Sequence, residues 1–324
     1  MLPDDLRTAL DQAVARFSPQ ELAEAVTRLT ERYRTAGVST GGNHLRSRAD
    51  IAAYAAYRMP ATYAAAATAM RRAAALAPGF EPRSHFDAGG GTGAAIWAAA
   101  EVWPSVEKVT VVEHDPHIID LGRRLARGSR ALAGTTWRQA SIGAALDPPA
   151  ADLVTMSYAL GELPEADRPA VVGRLAEDAA MVIIIEPGTP AGYATVAAAR
   201  EVLAGRGMTV LAPCPHDGPC PIRPGRDWCH FSVRLPRTSL HRRIKAGTLS
   251  FEDEKFSYVA AAAEPRPRPA ARVLRHPQKR KGVVSLRLCT DGDELRDVIV
   301  SKRQGELYRL ARDVEWGDDW PAAD

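Results

Sequence analysis

Cysteine is scarce in this sequence, with four in 324 residues, so a disulfide scaffold neither fits the count nor is needed by a chain long enough to bury a sizeable core. Long apolar runs are missing too. No stretch approaches the roughly 20 apolar residues that cross a bilayer as a helix, and the opening MLPDDLRTALDQ lacks a basic start followed by an apolar segment. These absences lead us to expect a cytoplasmic protein with no membrane partner. Neither sign of charge dominates: 42 Lys and Arg against 39 Asp and Glu leave +3, too little to imply a polyanion partner by itself. The apolar share of 46% and charged share of 25% are those of an ordinary folded domain, which argues against disorder.

The cationic residues are unevenly placed. From Arg223 to Lys245 seven bases (Arg223, Arg226, Arg234, Arg237, Arg242, Arg243, Lys245) face one acid, Asp227. From Arg266 to Lys281 seven more (Arg266, Arg268, Arg272, Arg275, Lys279, Arg280, Lys281) occur with no acid. A single run of this kind is usually a solvated connector. Two runs beside a cysteine-bearing segment shift the expectation toward RNA.

Three regions follow from the pattern along the chain. Residues 1–80 form a helical region, with Leu6, Leu10, Val14 and then Leu22 and Val26 at helical spacing and a capping box at Ser18 and Glu21. A second helical stretch runs through Ile51, Tyr54 and Tyr57, resuming after Pro60 to Leu76. Residues 81–236 alternate short apolar strands (SHFDAG, KVTVVEHD, TTWRQAS, ADLVTMSYAL, MVIIIEPG, MTVLAPC, HFSVRL) with helices, the signature of parallel βαβ units and an α/β Rossmann-like sheet. Residues 237–324 are expected to form a small β-rich extension from FSYVAAA, VVSLRLC, DVIVSK and ELYRLAR.

The segment FDAGGGTGAAIWAAA places Asp87 at a strand end, glycines after it, and a helix beyond. Glycine lets a backbone approach a ligand because no Cβ intervenes. An acid about 20 residues on, Glu113, ends the second strand and can accept both ribose hydroxyls. A nicotinamide dinucleotide site uses a similar unit with G-x-G-x-x-G spacing; here the spacing is G-x-G-x-G, opened by Asp87. That D-x-G-x-G-x-G pattern resembles the first motif of class I methyltransferases over residues 84 to 235. The resemblance implies an S-adenosylmethionine site with Asp87, Gly89, Gly91 and Gly93 at the amino-acid portion and Glu113 at the ribose. Enlarging Gly91 should close such a site. After the fourth strand, Ser157-Tyr158-Ala159-Leu160-Gly161-Glu162 stands where amino-directed enzymes of that class carry Asn/Asp-Pro-Pro-aromatic. Ala140 and Ser141 stand where an acid near the adenine is common. Cofactor binding is thus better supported than methyl transfer, and no catalytic residue is assigned; Tyr158 and Glu186 are pocket-lining alternatives.

Cys214, Cys220, Cys229 and Cys289 are spaced C-x5-C-x8-C-x59-C, the first three within the Pro- and Gly-rich APCPHDGPCPIRPGRDWCHF. Four thiolates suit tetrahedral zinc or a [4Fe–4S] cluster, and spacing alone does not choose. The combination of RADIAAYAAYRMPATYAAA, FDAGGGTGAA, SYALGEL, IIIEPGTPAG, APCPHDGPCP, DWCHFSVR and VEWGDDW resembles the methyltransferase-like family of the mitochondrial small ribosomal subunit, which has bacterial members. The resemblance implies a small-subunit assembly or maturation factor acting on ribosomal RNA, with a methyltransferase fold whose activity stays open. It also implies a [4Fe–4S] cluster on the four cysteines, tying the extension to the Rossmann domain through Cys289. The competing expectations are an active ribosomal RNA methyltransferase, and a small-molecule methyltransferase or NAD enzyme with structural zinc.

Overall fold

The computed structural model describes residues 2–35, 47–222, 225–236 and 250–321, without the side chains of 19 and 29–35. Helix α1 (Asp4–Val14) buries Leu6, Leu10 and Val14, the stripe read from sequence. Helix α2 (Pro19–Thr35) starts with the expected capping box: Ser18 N–H donates to Glu21 Oε2 at 2.7 Å, and Glu21 N–H to Ser18 Oγ at 3.2 Å. Helix α3 (Arg48–Leu76) is one 29-residue element passing through Pro60, where a break was expected. Proline removes one backbone donor. The surrounding face, rich in buried alanine with Met59, Tyr63 and Met70, packs on the next helix and on the sheet, and that burial outweighs the lost hydrogen bond.

The large sheet is built from β1 (Ser84–Ala88), β2 (Lys108–Glu113), β3 (Thr136–Gln139), β4 (Ala151–Ser157), β5 (Ala179–Pro187), β6 (Thr209–Ala212), β7 (Phe231–Pro236) and β8 (Phe251–Ala262). Its order is β3-β2-β1-β4-β5-β8-β6, with β7 also pairing β8. Strands β1 to β5 run parallel to one another, and β8 is antiparallel to β5, β6 and β7. Helices α4 (Ala94–Val102), α5 (Pro116–Ala126), α6 (Arg168–Ala176) and α7 (Pro190–Gly205) connect the parallel strands and follow β5. Strand order reverses between β1 and β4, and ligands of open α/β sheets bind at the carboxyl ends of strands beside such a switch. The alternation therefore produces the Rossmann-like, class I methyltransferase-type sheet expected.

One strand sits where the sequence reading did not put it. FSYVAAA, expected in the extension beyond residue 236, belongs to β8 and lies inside the large sheet, pairing β5 from Met181↔Ala262 to Pro187↔Phe256. Its run of buried residues from Phe256 to Ala262 is the pattern of a strand covered on both faces, which a peripheral sheet does not demand. A smaller sheet follows: β9 (Ala271–Val273), β10 (Gln278–Arg280), β11 (Val283–Thr290), β12 (Leu295–Ser301) and β13 (Asp319–Trp320). ELYRLAR, expected as strand, is instead helix α8 (Glu306–Asp313); Leu307, Leu310 and Ala311 share one side by helical spacing and join the core under β11 and β12.

Candidate functional site

The glycine loop leaves the end of β1 and is tied to β2, because Val112 O accepts from Gly89 N–H at 2.9 Å and Gly90 N–H at 3.1 Å. Two of its glycines are sterically required: a Cβ at Gly89 would lie 2.7 Å from Ala159 Cβ, and one at Gly90 2.5 Å from Asp87 Oδ2. Gly91 and Gly93 have φ of +55° and +93°, and Gly93 caps α4. A Cβ at Gly91 would meet nothing within 4 Å, so the loop presents bare backbone to open space there.

Asp87 is fully buried, and Thr155 Oγ1 on β4 donates to its Oδ1 at 2.7 Å, while Oδ2 has no partner. Burial, aided by the Glu113 carboxylate, pushes Asp87 up to about 7. Glu113 Oε1 accepts from His114 N–H at 2.8 Å and Asp115 N–H at 3.1 Å, and Oε2 from Gly91 N–H at 3.1 Å. Burial alone would raise Glu113, but the hydrogen bonds from the His114 ring and the Asp115 and His114 N–H groups outweigh it and hold the carboxyl low. One acid beside the loop is thus held ionised, and the other is poised near neutrality.

The two pocket-lining alternatives turn out differently. Glu186 is buried and accepts from Gly161 N–H at 3.1 Å, so it supports the turn after β4; burial raises it to about 7. Tyr158 stands in the left-handed region at φ +57°, its hydroxyl donating to Glu254 at 2.9 Å and Arg58 lying 5.2 Å over its ring. Its phenol is already engaged.

The second site is a cavity lined by all four cysteines, Cys214, Cys220, Cys229 and Cys289, with Tyr193, Arg200, Ile222 and Tyr258 among the other walls. Three thiols come from the loop between β6 and β7, and Cys289 from β11, so the smaller sheet reaches the larger one here. Burial raises Cys214, Cys229 and Cys289, with mutual repulsion of the thiolates adding to it. His216 Nε2 lies 3.4 Å from Cys289 Sγ, and its Nδ1 2.7 Å from Asp293. Among the described residues no group of three or more His, Cys, Asp or Glu is set to hold a metal ion. The sequence reading missed Tyr193 and Arg200. They lie seven apart on the buried face of α7, and an arginine on an otherwise apolar stripe was the available signal.

Arg200 is 4% exposed. It donates to the carbonyls of His216 at 2.8 Å and Gly218 at 2.6 Å; no carboxylate lies within ion-pair distance of it among the described residues, and its Nε has no partner. A buried guanidinium without a counter-ion is costly. Its natural complement is an anionic occupant of the cavity it lines.

The basic runs are only partly free. Arg266 pairs with Glu264 and Arg268 with Asp217. Arg272 is buried, donating to Pro213 O at 2.9 Å and pairing with Asp319, and Arg275 pairs with Asp227 while donating to Trp228 O. Arg268, Arg272 and Arg275 are therefore part of the framework around the cysteine loop. Lys279, Arg280 and Lys281 are exposed on the β10–β11 hairpin, and Lys302 and Arg303 are exposed beside it, where Lys302 N–H donates to Gly282 O. Of the first run, Arg223, Arg237, Arg242, Arg243 and Lys245 lie outside the described residues.

The family model described as mitochondrial small ribosomal subunit Rsm22 matches residues 48–321. A human protein named ribosome assembly protein METTL17, mitochondrial, is 31% identical over 83% of this chain and 62% of its own length. The Rsm22-cox11 tandem protein 2, mitochondrial, of Schizosaccharomyces pombe is 25% identical over 72% of this chain and 38% of its own. The chain thus spans less than two thirds of these relatives. A magnesium protoporphyrin IX methyltransferase from Synechocystis, solved with bound S-adenosylmethionine, is 13% identical, covers 75% of this chain and 97% of its own, and has a TM-score of 0.41; at that score the fold assignment stays with the strand order itself. The cytoplasmic expectation does not survive. Both named relatives are mitochondrial proteins, which points to mitochondria rather than the cytoplasm.

Proposed function

The chain belongs to the Rsm22 family of the mitochondrial small ribosomal subunit, and from that membership we propose that it is a small-subunit assembly factor that binds ribosomal RNA, holds S-adenosylmethionine at the glycine loop and carries a [4Fe–4S] cluster on Cys214, Cys220, Cys229 and Cys289. The observation that carries this reading is the convergence of the four thiols, one of them 60 positions from the next, on a single cavity that also holds the unpaired guanidinium of Arg200.

The donor set fits a cluster. Four thiolates around one centre leave a net negative charge, which Arg200 complements. Four thiols lining one cavity suit a [4Fe–4S] cluster, with tetrahedral zinc as the alternative. Cys289 on β11 and the three cysteines of the β6–β7 loop would hold the cluster between them, fastening the smaller sheet to the larger one, and binding energy of this kind becomes folding energy.

The glycine loop also fits its group. Asp87, Gly89, Gly91 and Gly93 would hold the amino-acid portion, the unpartnered Asp87 Oδ2 meeting a cation, and Glu113 the ribose. S-adenosylmethionine, when bound, supplies an electrophilic methyl group. Tyr158, engaged by Glu254 and Arg58, offers no free group to an incoming acceptor.

RNA contact is assigned to the exposed hairpin cations Lys279, Arg280 and Lys281 with Lys302 and Arg303. Titrating the protein onto small-subunit ribosomal RNA at rising salt tests this. Log affinity should fall by roughly 0.7 to 0.9 per phosphate contact per log unit of salt; salt-insensitive binding, or none, rejects the reading.

A further inference from the structure

Three side chains beneath the glycine loop form a chain of hydrogen bonds that the proposed function does not use. His85 on β1 is 1% exposed, and its Nε2 lies 2.7 Å from Thr155 Oγ1 on β4. Thr155 Oγ1 in turn lies 2.7 Å from Asp87 Oδ1. Asp87 and Thr155 are register partners across β1 and β4, and His85 is two residues back on the same strand, so the period of two along a strand puts all three on one face.

The direction of the chain follows from counting protons. Thr155 has one hydroxyl hydrogen. Given to Asp87, it leaves an oxygen that must accept from His85, so His85 carries its proton on Nε2 and has a bare Nδ1. That nitrogen has no partner. The opposite direction would put an N–H at this position, a buried donor without an acceptor, which is the rarer and costlier defect. Burial also pushes His85 down to about 3, so it remains a neutral donor at any physiological pH.

We infer that His85 is a positioning residue for the cofactor site: acting through Thr155, it favours the ionised form of Asp87 and turns the free Oδ2 toward the loop, where it is available to the ammonium group of an amino-acid ligand. The inference rests on the reading of the loop as an S-adenosylmethionine site. A donor chain strengthens as each member polarises the next, and a hydrogen bond to the charged form of an acid favours that form. The charged group facing Asp87 from β2 is Glu113, which acts against ionisation. The relay opposes both burial and that repulsion.

The test has two parts, so that failure of the relay and failure of the cofactor reading differ. In the protein without cofactor, the carboxyl carbon of Asp87 is followed by NMR against pH in the parent, in His85→Leu and in His85→Gln. Glutamine places an N–H close to where Nε2 stands, and leucine does not. The Asp87 midpoint should rise by about one pH unit in His85→Leu and return toward the parent in His85→Gln. S-adenosylmethionine affinity is then measured over the same range. Below the midpoint His85→Leu should bind about tenfold more weakly than the parent, with near-equal affinity well above it. A shifted midpoint with no binding in any variant upholds the relay and rejects the cofactor. An unchanged midpoint, or affinity reduced equally at all pH, overturns the relay. Should His85→Leu fail to fold, nitrogen shifts of the parent decide: protonated Nε2 with bare Nδ1 supports the relay, and the opposite tautomer rejects it.

Discussion

Replacing Asp87 with asparagine should make the protein more stable at high pH and leave it nearly unchanged at low pH. An aspartate ordinarily titrates near 3.8, and burial raises this one to about 7. A carboxyl raised in the folded state favours the protonated fold. Its stabilising effect is complete below the unfolded value, near 3.8, and is lost as pH climbs to about 7. Three pH units at about 1.36 kcal/mol each amount to about 4 kcal/mol lost by the parent across that window. Asparagine does not ionise and loses nothing, and the unpartnered N–H₂ it places at Oδ2 replaces the unpartnered O–H that the protonated acid already carries there, since Oδ1 accepts from Thr155. The two stability curves should therefore diverge as pH rises. At about pH 4 they lie close together, and at about pH 8 the variant is stronger by about 4 kcal/mol. Urea unfolding followed by circular dichroism, without added cofactor, measures both curves. Glu186, also raised to about 7, contributes to each and cancels in the difference. Parallel curves between about pH 4 and 8 would refute the claim that burial holds Asp87 well above an ordinary aspartate.

Gly91→Val should abolish S-adenosylmethionine binding while costing about 1–2 kcal/mol of stability, since only its φ of +55° strains the new side chain; calorimetric titration and urea unfolding separate the two. Arg280→Ala with Lys281→Ala should weaken ribosomal RNA binding and reduce the salt slope by about 1.4 to 1.8, two contacts' worth, with cofactor affinity unchanged in the same preparation. Arg200→Met should leave the thiols in place but remove their buried cation, so iron content after anaerobic purification should fall; full iron occupancy in that variant would show that the guanidinium does not complement the cavity's charge.

Much of this molecule was legible because local signals agreed with tertiary ones. Strand and helix alternation from Ser84 to Ala212, the loop from Asp87 to Gly93 and the box at Ser18 and Glu21 each rest on short-range rules that the fold obeys. What was not legible depended on long-range pairing. FSYVAAA reads as an apolar strand anywhere, and only partners on both sides assign it to the large sheet. ELYRLAR is too short for period alone to separate helix from strand. Arg272 and Arg275 look like surface charge in a basic run, yet the carbonyls of Pro213 and Trp228 claim them. That Cys289 meets the other thiols follows from β11 pairing with β9, in which Cys289 faces Arg272.

Iron and acid-labile sulfide, with the visible spectrum, measured on protein purified without oxygen address the central claim most directly. Four irons and four sulfides per chain with broad visible absorbance, lost in Cys289→Ser, are the expected result. A colourless protein with one equivalent of zinc, or full iron retained without Cys289, would contradict it.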